Sequence, residues 1–67
     1  MIKLLVNEKS IEISNDFNIL QLLNQINSPQ DGIAVAVNNT IILKNSWESK
    51  TLLENDNVLI IKATQGG

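Results

Sequence analysis

The sequence predicts a small α+β fold in which one helix covers one face of a mixed sheet of about four to five strands. Short apolar runs alternate with period two, one segment repeats apolar residues at helical spacing, and 67 residues suit one domain. The hydrophobic content of 43% is sufficient for a core. The chain has no cysteine and no histidine, so its stability must come from aliphatic packing rather than disulfides or zinc.

The first 14 residues predict a β-hairpin. In residues 2–6 the apolar side chains Ile2, Leu4 and Val6 fall on one face. Residues 10–14 resume the alternation after a polar turn at residues 7–9.

The period then changes to that of a helix. Asn18 is the expected N-cap, with Gln21 completing a capping box and Phe17 available for a hydrophobic staple. Residues 27–29 are expected to end the helix, because the residue before a proline is disfavoured in the helical region. The apolar stripe consists of Ile19, Leu22, Leu23 and Ile26.

The second half predicts three strands. Asp31-Gly32 turns the chain before the first of them, and Asn38-Asn39 is typical of a tight hairpin turn. Trp47 lies in an irregular connection or single helical turn, and we expect it to pack in the core, because aromatic side chains bury large areas. The strands cover residues 32–37, 40–43 and 57–63, the connection covers residues 45–51, and a further turn covers residues 54–56.

The predicted order is therefore ββαβββ. The first and last strands are strongly apolar and are expected to be central neighbours. The connection from the first hairpin through the helix is then expected to be a right-handed crossover. This is the β-grasp, or ubiquitin-like, arrangement. We predict a β-grasp domain over residues 1–63 and a flexible tail over residues 64–67.

Charge and composition exclude several function classes. The net charge is −2 and the five lysines are well separated, whereas nucleic-acid binding needs clustered basic residues. No segment approaches the roughly 20 apolar residues of a membrane span, so we expect a cytoplasmic protein that does not bind membranes.

An independent enzyme is not expected. Without histidine or cysteine, neither a Ser-His nor a Cys-His nucleophile can exist. We expect no metal site, no stably bound cofactor and no catalytic residue in this chain. The carboxylates lie mostly in turns and at strand ends and are expected to be solvated: Glu8, Asp16, Asp31, Glu54 and Asp56.

Two of the three glycines are Gly66 and Gly67, the last residues of the sequence. At an average frequency of about 7%, two glycines end a chain by chance about once in 200 sequences. A carboxylate on a tail without side chains can enter a narrow active site, which is what a carrier protein needs. A frayed terminus is the alternative, and composition alone leaves both open.

A partner is expected to contact the face of the sheet opposite the helix. In the last strand Val58 and Ile60 should point to the helix. Leu59, Ile61 and Ala63 should point to the opposite face. Exposed aliphatic residues beside the root of the tail would mark an interface. The predicted partner-binding residues are Leu5, Leu59, Ile61 and Ala63.

The sequence resembles the thiamine sulfur-carrier (ThiS) family over its whole length. The length and the Leu22-Leu23 pair on the helix also fit. The sequence departs from the family's pattern near Asn57 and at residues 44–46, but not in the tail. The matching stretches are residues 33–39, the spacing of Trp47 and Leu52, residues 54–58, and Ala63-Thr64-Gln65-Gly66-Gly67.

The resemblance implies a mechanism. An E1-like adenylyltransferase of the ThiF type would use ATP and magnesium to adenylate the Gly67 carboxylate. A sulfur-donor protein carrying a persulfide would then convert the adenylate to a thiocarboxylate, and thiazole synthase of the ThiG type would take the sulfur. Thr64, Gln65 and Gly66 would form the tail that enters these partners.

Three rival functions stay open from the sequence. The small subunit of molybdopterin synthase has the same fold, tail and thiocarboxylate chemistry with a different acceptor. A ubiquitin-like modifier would be conjugated to lysines instead. A plain interaction module would work equally well without its two final glycines.

Overall fold

The computed structural model describes residues 1–62, and residues 63–67 lie outside the described part of the chain. The predicted order ββαβββ is confirmed, and the described strand ends agree with the predicted ones to within one residue. The elements are β1 (Ile2–Val6), β2 (Lys9–Ile13), α1 (Ile19–Gln25), β3 (Ile33–Val37), β4 (Thr40–Ile42), a short 3₁₀ helix (Lys44–Ser46) and β5 (Asn57–Lys62).

The strands form one mixed sheet in the order β2-β1-β5-β3-β4. β1 and β5 are parallel neighbours, with Leu5 beside Asn57 and Val6 beside Val58, and the other neighbouring strands are antiparallel. The predicted central position of the first and last strands is confirmed. The fold is a β-grasp, in which one helix covers one face of the sheet.

Asparagine makes both tight turns possible. Asn7 and Glu8 join β1 to β2 with φ angles of 50° and 69°, and Asn38 and Asn39 join β3 to β4 with 52° and 71°. Two consecutive positive φ angles are typical of the type I′ turn, whose twist matches that of a hairpin. Asparagine occupies three of these four positions and tolerates this region better than most residues. The two-residue loops in turn fix the register of both hairpins.

The helix begins as predicted and ends at the predicted place, although for a different reason than the proline. The Asn18 side chain accepts a hydrogen bond from Gln21 N–H at 2.8 Å, and the Gln21 side chain accepts one from Asn18 N–H at 2.9 Å. At the other end, Ser28 N–H donates to Leu23 C=O at 2.9 Å while Asn27 has φ 58°. These are features of a Schellman motif. The helix ends at Gln25 through these backbone hydrogen bonds rather than through Pro29.

The core lies between α1 and the sheet. Trp47 is 2% exposed and donates its Nε1–H to Ile42 C=O at 2.9 Å, which confirms the predicted structural role. No helix within residues 1–62 is long and apolar enough to cross a membrane. The largest fully buried side chains besides Trp47 are Leu4, Ile13, Ile19, Leu22, Leu23, Leu52, Val35 and Val58.

Candidate functional site

β5 connects the core of the domain to the predicted reactive tail. It lies at the centre of the sheet and runs to Lys62. Val58 is fully buried beneath α1, and Ile60 packs against the same core, as predicted. The predicted site residues Thr64, Gln65, Gly66, Gly67 and Ala63 lie outside the described residues, so their roles stay predictions.

The outer face of the sheet, meaning the face opposite α1, carries the other predicted partner residues. Leu5, Leu59 and Ile61 are 42%, 45% and 45% exposed. The pairing of Leu5 with Asn57 places all three on the same side of adjacent strands. Their predicted position is confirmed, and their role in binding a partner stays a prediction.

The outer apolar face is wider than the sequence prediction. Ile41 of β4 is 57% exposed and lies opposite Ala36, which in turn lies opposite Leu59. Ala36 is 6% exposed despite facing outward, between the larger Leu59 and Ile41. Leu43 follows β4 in extended conformation and is 68% exposed. On this face, the small Ala36 of β3 therefore lies between the larger aliphatic side chains of β4 and β5.

The sequence contains the information that places Ile41. A two-residue turn at Asn38-Asn39 makes Val37 and Thr40 opposite each other, so the next pair must be Ala36 and Ile41. The partner residues predicted from the sequence did not include Ile41, because the pairing of residues across this turn was not considered.

Asp56 contradicts the expectation that the carboxylates are solvated. It is 7% exposed, and its two oxygens accept hydrogen bonds from Leu53 N–H at 2.8 Å and from Asn38 Nδ2–H at 3.0 Å. Asn38 also accepts a hydrogen bond from Asn57 N–H at 2.9 Å. Because these bonds satisfy the buried carboxylate, its role is structural: it fixes the start of β5 against the β3–β4 turn.

The other charged groups of residues 1–62 lie mostly at the surface. Residues 1–62 contain no cluster of three or more possible metal ligands. A hydrogen bond from Lys44 Nζ at 2.6 Å, together with its charge, holds the pKa of the Asp31 carboxyl below its ordinary value. Both side chains are exposed, and an exposed ion pair of this kind contributes little to stability.

A β-grasp domain with an apolar outer face and a central last strand leading to two glycines defines a ubiquitin-like protein. The sequence model of the ThiS family matches residues 2–67, and the chain belongs to that family. The chain is 25% identical over 65 residues to the sulfur carrier protein ThiS of Escherichia coli (strain K12), covering 97% of this chain and 98% of that protein.

Solved structures agree on the fold. A crystal structure of the thiamine biosynthesis protein ThiS from Geobacter metallireducens superposes with a TM-score of 0.86 at 22% identity, covering 98% of this chain and all of that one. A solution structure of a thiamine biosynthesis protein from the same organism gives a TM-score of 0.77 at 19% identity, covering 98% and 88% of the two chains.

Proposed function

We propose that this chain is a sulfur carrier for the thiazole moiety of thiamine and holds the sulfur as a thiocarboxylate on Gly67. The observation that carries the proposal is the match to the ThiS family, which extends over residues 2–67 and so includes both final glycines. The name of the Escherichia coli relative supports the same role.

The proposed chemistry takes place in partner enzymes. In a ThiF-type adenylyltransferase, a Gly67 carboxylate oxygen attacks the α-phosphorus of ATP, with magnesium bound to the phosphates, and pyrophosphate leaves. The terminal sulfur of a protein persulfide then attacks the carbonyl carbon and displaces AMP. A thiol cleaves the resulting S–S bond, forms a disulfide with the donor sulfur and releases the thiocarboxylate. A ThiG-type thiazole synthase takes up that sulfur.

The domain's own contribution is presentation. The absence of Cβ atoms lets Gly66 and Gly67 pass through a narrow channel and adopt backbone angles closed to other residues. The aliphatic outer face gives partners a surface to bind beside β5, and exposed apolar patches commonly have this role. Leu5, Leu59 and Ile61 are the proposed contacts, and Ile41 extends them.

Intact mass measurement tests the carrier proposal. The full chain is incubated with ATP, magnesium, a ThiF-type enzyme and a persulfide donor. We expect a mass shift equal to one oxygen replaced by sulfur, mapped to Gly67 by fragmentation. No shift, or a shift elsewhere in the chain, would contradict the proposal. Sulfur transfer from the product to thiazole synthase, compared with transfer to a molybdopterin precursor, identifies the acceptor.

Substitutions in the tail test the need for glycine. We expect Gly67→Ala to slow adenylation and Gly66→Val to slow it more, because each adds a side chain near the reacting carboxylate. ATP–pyrophosphate exchange measures the rate, and urea unfolding should match that of the unmodified chain. Asn24→Ala, on the exposed side of α1, is the control and should leave the exchange rate unchanged. An unchanged exchange rate in Gly66→Val would show that the tail does not need glycine to enter the active site of the partner.

A further inference from the structure

A groove opens on the helix side of the sheet, next to the end of β5. Because α1 has only seven residues and ends at Gln25, it leaves this end of the inner face uncovered. The cavity has a volume of about 550 Å³ and lies between the end of α1 and strands β1, β2 and β5. The half-buried side chains Ile11, Ile26 and Ile60 form its apolar floor. We call it the β5 groove.

The β5 groove is positively charged in a chain of net charge −2. Lys9 at the start of β2 and Lys62 at the end of β5 both line it, and none of its lining residues is acidic. Within residues 1–62 neither lysine forms an ion pair. Long lysine side chains can lie along apolar surface and hold their charge at the rim, so carboxylates at the rim are favoured.

The groove also has a free backbone edge. The ladder between β1 and β5 ends at the pair Val6 and Val58, although β5 continues to Lys62. The Asn7 side chain accepts a hydrogen bond from Ile60 N–H at 2.8 Å and so satisfies the next donor. By the alternation of a ladder, Ile60 C=O and Lys62 N–H face the same edge, and residues 1–62 supply no partner for them.

We propose that the β5 groove binds an extended segment of a partner protein that carries aliphatic and acidic side chains on the same face, at every second position. The segment would pair with Ile60 and Lys62 as an added strand, which is a common mode of peptide recognition. The side chains at every second position of the segment face the groove. The central aliphatic ones would cover the floor, and the carboxylates at its two ends would reach Lys9 and Lys62. The site lies on the opposite side of the sheet from the outer apolar face and does not depend on the sulfur-carrier chemistry.

A peptide titration tests the proposal. The probe is acetyl-Glu-Thr-Val-Thr-Ile-Thr-Glu-amide, which places the aliphatic and acidic side chains on one face of the strand. It is added to the ¹⁵N-labelled full chain, and its control is the same peptide with lysine in place of glutamate. We expect saturable amide shifts at Lys9, Ile60 and Lys62 with the acidic peptide only. Lys9→Glu and Lys62→Glu should each weaken binding about two- to fivefold, as expected for one exposed ion pair, and added salt should weaken it as well.

Lys3→Glu is the matched control variant, because it makes the same charge change at an exposed lysine that does not line the groove. It should bind the peptide as the unmodified chain does. The proposal is overturned by absence of saturable shifts, by equal shifts with the lysine peptide, or by shifts concentrated at Ile41 on the outer face. Nuclear Overhauser contacts between residues 63–67 and Ile26 in the free chain would assign the groove to the protein's own tail. Shifts that depend on protein concentration alone would assign it to a second copy.

Discussion

The two faces of the sheet carry similar aliphatic side chains, but a helix covers only one of them. On β1, Leu4 is 1% exposed and its neighbour Leu5 is 42% exposed. On β5, Val58 is fully buried and its neighbour Leu59 is 45% exposed. Because successive residues of a strand point to opposite faces, each pair differs mainly in whether α1 lies above it.

The difference in burial between the two faces indicates that they have different roles, one in stability and one in the proposed binding of partners. A domain of 67 residues buries a smaller fraction of its surface than a larger one, so each apolar side chain matters more to its stability. Four aliphatic side chains of the sheet, on Leu5, Ile41, Leu59 and Ile61, nevertheless stay exposed. Grouped on one face, they are better explained by a partner than by folding. The inner face holds the domain together, and the outer face is the one that we propose for contact with partners.

The largest expected effect separates the two faces on a single strand. Leu4→Ala should lower the free energy of unfolding by about 2–5 kcal/mol, because it removes a buried side chain and leaves a cavity. Leu5→Ala is the matched control and should cost less than about 1 kcal/mol. Urea unfolding followed by circular dichroism measures both. Similar losses from the two substitutions would show that the outer face also supports the fold.

The next effect concerns binding. Leu59→Glu and Ile41→Glu should each weaken the complex with the ThiF-type enzyme at least about tenfold, or about 1.4 kcal/mol, because each places a charge within the proposed interface. Their unfolding free energies should change by less than about 1 kcal/mol, since both sites are exposed. Calorimetric titration measures the affinity, with Asn24→Glu on the exposed side of α1 as control. Full affinity in both variants would remove the outer face from the interface.

A smaller loss is expected at the junction between β5 and the β3–β4 turn. Asp56→Asn should cost about 1–2 kcal/mol of unfolding free energy, because it replaces one acceptor oxygen with a donor and weakens charge-assisted hydrogen bonds. Asp16→Asn is the control, because Asp16 is exposed. Urea unfolding at neutral pH distinguishes them. An equal response from both variants would show that the buried network is not needed to hold β5 in place.

The fold was predictable from the sequence because local patterns and turn residues agree with it. The capping box at Asn18 and the asparagine turns are local interactions. The alternation of successive side chains assigned the residues of β5 to the two faces of the sheet. The burial of Asp56 was not predicted, because it depends on Asn38, which is 18 residues away in sequence. The backbone motif that ends α1 was missed because Asn27 adopts positive φ, a conformation more often associated with glycine. Contacts between residues distant in sequence and unusual backbone angles therefore limited what could be predicted from the sequence.

The smallest expected effect lies on neither face, at the ion pair between Lys44 and Asp31. Lys44 lowers the pKa of the Asp31 carboxyl, first by its hydrogen bond and then by its charge. A carboxyl whose folded pKa is lowered contributes stability above its ordinary pKa of 3.8 and loses it as the pH falls through the lowered value. Both side chains are well exposed, at 59% and 94%, so solvent and salt screen the interaction.

Asp31→Asn should therefore change the unfolding free energy less than Leu5→Ala does. Any difference from the unmodified chain should be largest at pH 7 in low salt and smaller at pH 2. Urea unfolding at the two pH values, repeated in high salt, measures it. A difference that grows on acidification would have the wrong sign for a lowered pKa. A loss as large as that of Leu4→Ala would mean that surface charge, rather than the covered inner face, determines the stability of this domain.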